Sequence, residues 1–170
     1  KLRDYNAEVV HDMTPVLYES TEREFTSNGL GMLVDCTECT VTEERNGGFE
    51  LEMSYPVSGR SFANITERRI IFAKPSPGRG PQPFRIYRIT KNSKNTVKVY
   101  AQHISYDLSG VPVSAFEAQT ASEAMEKLNT RALVPHPFTF STDKTTQGSM
   151  KSQTPAGIRP VMGGQEGSIL

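Results

Sequence analysis

Tryptophan is absent from these 170 residues, and there are only two cysteines and three histidines. Without tryptophan, a carbohydrate-binding platform loses its largest flat apolar surface with a polar handle. Two cysteines, Cys36 and Cys39, cannot staple a domain of this size. No leader of the charged, apolar, small-residue type precedes them, so dependence on disulfides is not expected. Net charge is missing as well: nineteen basic residues balance nineteen acidic ones, leaving no overall field to hold nucleic acid by phosphate neutralisation. No apolar run approaches the roughly 20 residues of a membrane span, and no membrane insertion is expected. Nor does the chain carry a Gly-Lys-Ser/Thr phosphate loop, a nucleophile-elbow serine or a His-Glu-x-x-His pair.

What remains is a soluble globular composition, 36% apolar and 22% charged, long enough for one domain or for one domain and the start of a second. The strongest local signal is "CTVTEERNGGFELEMSYPV". Phe49, Leu51, Met53, Tyr55 and Val57 alternate with Glu50, Glu52, Ser54 and Pro56, the period of a half-buried strand. Upstream, Asn46 and Gly47 supply hairpin-turn chemistry. A two-residue loop would set Val41 opposite Glu52 and put the two apolar sets on different faces. A three-residue loop of Arg45, Asn46 and Gly47 sets Val41 opposite Leu51 and Cys39 opposite Met53. The longer loop is predicted, closed by Gly47 in the left-handed region.

Further strands are predicted at 68–73, 83–90 and 96–108, read together as an antiparallel meander, with "TPVLYES" as a first strand and "TSNGLGML" as a turn-rich connection. Between the first two lies "KPSPGRGPQP", four prolines and two glycines in ten residues, which is expected to stay out of any ladder as a surface loop. Thr120 with Glu123 forms a capping box ahead of Ala121, Ala124, Met125 and Leu128, predicting a helix over about 121–130. Beyond "HPFTF" the chain is polar and reads as a linker or long loop.

Candidate chemistry is sparse. "CTEC" has the spacing of a redox pair or half a zinc site, but no second Cys or His pair sits at finger or ribbon spacing. On a strand, residues three apart point to opposite faces, so packing is preferred over redox or metal roles. His103 and Asp107 in "YAQHISYDLSG" fall on one face of an extended strand but roughly 13 Å apart, too far for a catalytic pair. A local hydrogen bond from His103 and a turn or cap by Asp107 before Gly110 are expected instead. His11 and His136 have no carboxylate or cysteine at a local motif spacing. The Gly/Arg loop at 75–83 lacks the context of a phosphate cradle, and "NIT" at 64–66 is a glycosylation sequon in form only. No catalytic, cofactor-binding or metal residue is assigned.

Four stretches, "LYESTEREFTSNGLGML", "VTEERNGGFELEMSYPV", "QPFRIYRITKNSKNTVKVYAQHISYDLSGVPV" and "IRPVMGGQEGSIL", come in an order and spacing that resembles the N-terminal region of phage minor tail structural proteins. These are also called prophage endopeptidase tail or tail-associated lysin proteins. The resemblance runs over nearly the whole chain from about Val16. It implies similarity to the baseplate hub of contractile phages: mainly β, an antiparallel β-barrel of tail-tube type, with one short helix and the start of a second α+β subdomain. The implied division is a hub domain over 1–115, a second subdomain over 116–140 and a polar linker over 141–170 leading into further domains. The implied role is structural, in the virion tail tip, closing the distal tail tube. The implied partners are its own copies, as a trimer, the distal tail or tube protein, and tape-measure and receptor-binding machinery, with DNA only as passing cargo and no cofactor. Any endopeptidase or lysin activity is implied to lie in a C-terminal region beyond Leu170. The rival readings are a cell-wall or peptide-cleaving enzyme using Cys36, Cys39 or His103, and a cell-surface carbohydrate-binding module.

Overall fold

A computed structural model describes residues 14–44, 47–91, 95–144 and 147–151 of the chain. They divide into two units, the first reaching to Ile104 and the second starting at Ser105.

In the first unit, β1 (Val16–Tyr18), β2 (Gly31–Met32), β3 (Glu38–Glu43), β4 (Phe49–Pro56), β5 (Ile70–Ala73), β6 (Gln82–Lys91) and β7 (Thr96–His103) form one sheet. The order is β2-β1-β5-β6-β7-β4-β3, with every neighbouring pair antiparallel. The protein is mainly β, and its sheet is a curled half-barrel. It stays open where a closed barrel was expected, because β2 and β3 lie at opposite edges. The expected meander is present as β5-β6-β7. The β3-β4 hairpin docks on the far side of β7, so the chain crosses over between β4 and β5.

The core follows from side-chain alternation. Phe49, Leu51, Met53 and Tyr55 of β4 are buried, as are Val97, Val99 and Ala101 of β7 and Phe84 and Ile86 of β6. Each of the larger apolar side chains contributes about 1.5–3 kcal/mol by leaving water, and Ala101 less. The predicted hairpin register holds: Val41 faces Leu51, Cys39 faces Met53, and Glu44 N–H donates to Gly48 O at 2.8 Å, leaving residues 45–47 as the loop. Arg45 and Asn46 lie outside the described residues, and Gly47 is not in the left-handed region expected of it: it closes the turn by donating its N–H to Glu44 O at 3.1 Å, and the described glycines with positive φ are Gly29 and Gly31.

β6 carries a bulge between Ile86 and Arg88. Before it, Ile86 pairs with Ala101; after it, Ile89 pairs with Val99. The extra residue, Tyr87, lets both Ile86 and Ile89 keep to the apolar side while Tyr87 and Arg88 both turn outward. β6 also begins earlier than expected. Gln82, read as loop, pairs with Ala73, and Pro83, the expected first residue of the strand, pairs with Phe72, a position near the strand start where proline is tolerated.

At the β1 end both faces are covered. Tyr18 packs edge-on against Phe25 and Phe72, and those two rings stack at 5.1 Å, so the 19–30 segment roofs the outer face. Within that segment Gly29 has φ +51.

The second unit holds β8 (Glu117–Thr120), α1 (Ala121–Thr130) and β9 (Gln147–Lys151), with β8 and β9 antiparallel. β9 lies inside the stretch read as a polar linker. Backbone pairing with β8 needs no apolar pattern, which is why composition does not reveal it. Residues 152–170, including the last resembling stretch, lie outside the described residues. Leu128 packs on a buried cluster of Val113, Phe116, Ala118 and Ala124. The capping box is present: Thr120 Oγ1 accepts from Glu123 N–H at 3.1 Å, and Glu123 Oε2 accepts from Gln119 N–H at 2.7 Å. Thr120→Ala removes an acceptor at the helix start and is expected to cost about 1 kcal/mol. Chemical denaturation with helix circular dichroism as the probe checks this.

Candidate functional site

The chain's most chemical side chains fall into three places in the first unit. The first is the end of β7. The strand stops at His103, and Ile104–Gly110 is a 3-10 helix, so the extended geometry assumed for Ser105 and Asp107 does not occur. A 3-10 turn ends side-chain alternation, and the same-face relation of His103 and Asp107 is withdrawn with it. His103 stacks on Phe49 at 4.7 Å and meets the edge of Phe84 at 5.7 Å. Its Nε2 lies 3.3 Å from Gln82 Oε1 on β6, a partner from a neighbouring strand where a local hydrogen bond was expected. Burial pushes the His103 pKa down to about 4; Glu43 opposes the shift and Arg79 adds to it. The imidazole is therefore neutral at pH 7 and can donate one hydrogen bond.

This has a measurable consequence. The ordinary imidazole value is 6.5, so between that value and about 4 the unfolded chain binds a proton that the folded one does not. Stability then rises with pH across this window: the contribution is complete above the unfolded value and lost as pH falls toward the folded one. About 1–2 kcal/mol is expected to be lost, after discounting for the ring's remaining solvent contact. Urea midpoints across the window should show this slope in the wild type, and His103→Gln should flatten it.

The second place surrounds the start of β3. Tyr55, buried in β4, donates from its hydroxyl to Asp35 Oδ2 at 3.3 Å and accepts from Ser61 N–H at 3.1 Å. Asp35 also accepts from Arg60 N–H at 2.9 Å and pairs with its guanidinium at 3.3 Å. The Arg60 side chain is the main reason the Asp35 carboxyl sits below its ordinary value. Next to Asp35, Cys36 follows a turn in which its N–H donates to Leu33 O at 3.0 Å. Cys36 therefore precedes β3, while Cys39 belongs to it, and the opposite-face argument fails because only one of the two is on the strand. The Cys36 thiol donates to Glu38 O at 3.1 Å. Both cysteines are half-buried, and both are free thiols.

The third place is the outward face of the sheet beside the bulge. The Arg88 guanidinium sits 4.1 Å from the Tyr100 ring centre and 6.0 Å from that of Tyr87. Tyr87 is 41% exposed. Glu52 and Lys98 form an ion pair on adjacent strands of the same face. Such a face offers aromatic contact and charges of both signs.

His136, in the second unit, packs between Phe138 and Phe140, and its Nδ1 is buried with no hydrogen-bond partner among the described residues. His11 lies outside the described residues. Among the described residues no three His, Cys, Asp or Glu side chains gather as a metal site would require. No helix among them is long and apolar enough to cross a membrane.

Sequence reasoning missed the Asp35–Tyr55–Arg60 contacts, the turn that places Cys36 ahead of β3 and the outward pair Tyr87–Arg88. The Val34-Asp35 step ahead of Cys36 was the available signal for the thiols, since aspartate favours turns and a turn there takes Cys36 off the strand's alternation. For the bulge, the signal was the broken alternation of Ile86 and Ile89, three apart in a strand of period two.

No family model, curated protein or solved structure matches the chain. Fold and site thus define a mainly β protein with an open, curled antiparallel sheet.

Proposed function

We propose that this chain is a structural module of a phage or prophage tail tip, a hub component that closes the distal tail tube and joins it to host-contact machinery. The observation that carries the reading is the order and spacing of the four resembling stretches, from "LYESTEREFTSNGLGML" to "IRPVMGGQEGSIL". Two features support it. The sheet is open, and β3 at its edge is six residues long with Glu38 exposed and Glu43 exposed, a strand that a neighbouring copy could cover. The balanced charge suits a passage through which DNA slides without sticking. On this reading the protein acts by contact: with its own copies as a trimer, with the tube or distal tail protein, and with the receptor-binding parts outside.

Electron microscopy of intact particles bearing a labelled copy of the protein tests the reading. Label at the tail tip supports it; label on the head, or along the tube, overturns it. The tail-lysin alternative predicts cell-wall clearing by this chain in zymography. A carbohydrate-binding module is the second reading, favoured by the exposed Tyr87 beside Arg88 and Tyr100. It predicts retention on purified cell walls that Tyr87→Ala abolishes.

A further inference from the structure

β3 is the last strand of the sheet, and no strand among the described residues pairs with its outer side. The ladder decides which backbone groups that leaves open. Glu44 N–H donates to Gly48 O at 2.8 Å, which makes these two a hydrogen-bonded pair, and such pairs alternate along an antiparallel ladder. Thr42 with Glu50, Thr40 with Glu52 and Glu38 with Ser54 therefore turn their N–H and C=O groups toward one another. Cys39, Val41 and Glu43, the residues between, turn theirs away from β4. None of the three finds a backbone partner there among the described residues. At the opposite edge β2 has only two residues, too few to template a further strand.

These open groups run beside a face of one charge. Paired residues of neighbouring strands point to the same side, so Glu38, Thr40 and Thr42 share the outward face with Ser54, Glu52 and Glu50. Lys98 on β7 pairs with Glu52, and Arg79 pairs with Glu43 on the other face. Glu38 and Glu50 are exposed and form no ion pair among the described residues, and the same holds for Glu44, which continues the alternation past Thr42. Exposed carboxylates along an edge keep like edges apart: a second copy's β3 would add its own to the same face. A strand of opposite sign meets no such repulsion. On the inner face, half-buried Cys39 and Val41 offer it apolar contact beside Met53 and Leu51.

We propose that the β3 edge is a docking site for an extended basic segment of a partner protein, which adds one antiparallel strand to the seven-stranded sheet. Lysine or arginine at alternate positions of the segment faces Glu38, Glu44 and Glu50. The apolar residues between them lie beside Val41, and their N–H and C=O groups pair with those of Cys39, Val41 and Glu43. Main-chain hydrogen bonds supply the affinity and the alternate side chains the selection. The site does not depend on a place in a tail tip, since the edge and its charges belong to the single chain.

The amidated peptide Lys-Val-Lys-Val-Lys-Val-Lys, added to the purified full chain, tests the site by amide hydrogen exchange in NMR and by fluorescence anisotropy. Exchange at Cys39, Val41 and Glu43 is expected to slow by at least about tenfold, while Thr40 and Thr42, already paired with β4, stay unchanged. N-methylation of the three valines removes the donors that face β3 and should weaken binding at least about tenfold; N-methylation of the lysines, whose N–H groups face solvent, should not. The double variant Glu38→Gln, Glu50→Gln should bind about threefold more weakly or worse. Equal binding of the two methylated peptides overturns the proposal, as do no binding at all, equal binding of Glu-Val-Glu-Val-Glu-Val-Glu, and an unchanged affinity in the double variant. Slow exchange at Cys39, Val41 and Glu43 in the free protein that disappears on dilution overturns it too, by making a second copy the occupant. The peptide arms use the wild type, so the test stands even where the variant fails to fold.

Discussion

Phe84→Ala is expected to lower the unfolding free energy by about 3–5 kcal/mol, the largest effect of any single truncation proposed for this protein. The Phe84 side chain is fully buried, its ring meets Phe49 edge-on at 5.2 Å, and it stands opposite His103 in the β6-β7 ladder. It therefore joins three strands, β4 through Phe49, β6 through its own backbone and β7 through His103. Removing the ring loses its transfer free energy and leaves a cavity that neighbouring strands, fixed by hydrogen bonds on both sides, close only in part. A second readout separates this from general loosening. The cavity admits water beside His103, so the imidazole pKa should climb from about 4 toward its ordinary 6.5. Urea denaturation measures the first effect and imidazole NMR titration the second. Unchanged His103 titration in a folded Phe84→Ala protein would show that the Phe84 ring does not shield the imidazole.

Gly29→Ala is the second large effect, expected at about 2–4 kcal/mol. The residue has φ +51, a conformation that costs an L side chain about 1 kcal/mol in open space. The space is not open: a β-carbon there would stand 2.4 Å from Leu17 O and 2.8 Å from Tyr18 Cδ1. Leu17 O cannot retreat cheaply, because it accepts from Leu30 N–H at 2.7 Å and belongs to β1, which is held between β2 and β5. The roof that Phe25 lays over Phe72 would shift with the loop. Gly78→Ala is the control, since nothing lies within 4 Å of a β-carbon there, and its change should stay within about 0.5 kcal/mol. Equal melting temperatures for the two variants would refute the close approach at Gly29.

The strands whose pattern has period two were legible. β4 reads directly from Phe49, Leu51, Met53 and Tyr55, and the loop length of the β3-β4 hairpin follows because a one-residue slip would turn Val41 away from Leu51. The helix start at Thr120 and Glu123 was legible for a related reason: caps act between residues three apart in the chain, so sequence holds both partners. A local hydrogen bond was expected of His103, but its partner Gln82 lies on another strand, out of reach of local sequence reading.

What the sequence by itself determined is therefore local: strand faces, one hairpin register and one helix start, each set by side chains within a few residues of one another. Only the tertiary structure decided which strands pair, that β4 joins β7, that the sheet curls without closing, and that β9 pairs with β8. It also decided that β7 stops at His103, and that a turn after Leu33 leaves Cys36 ahead of β3 while Cys39 lies on it. Those outcomes depend on the backbone path between elements far apart in sequence, where hydrogen-bonding groups are the same for every residue and carry no sequence signal.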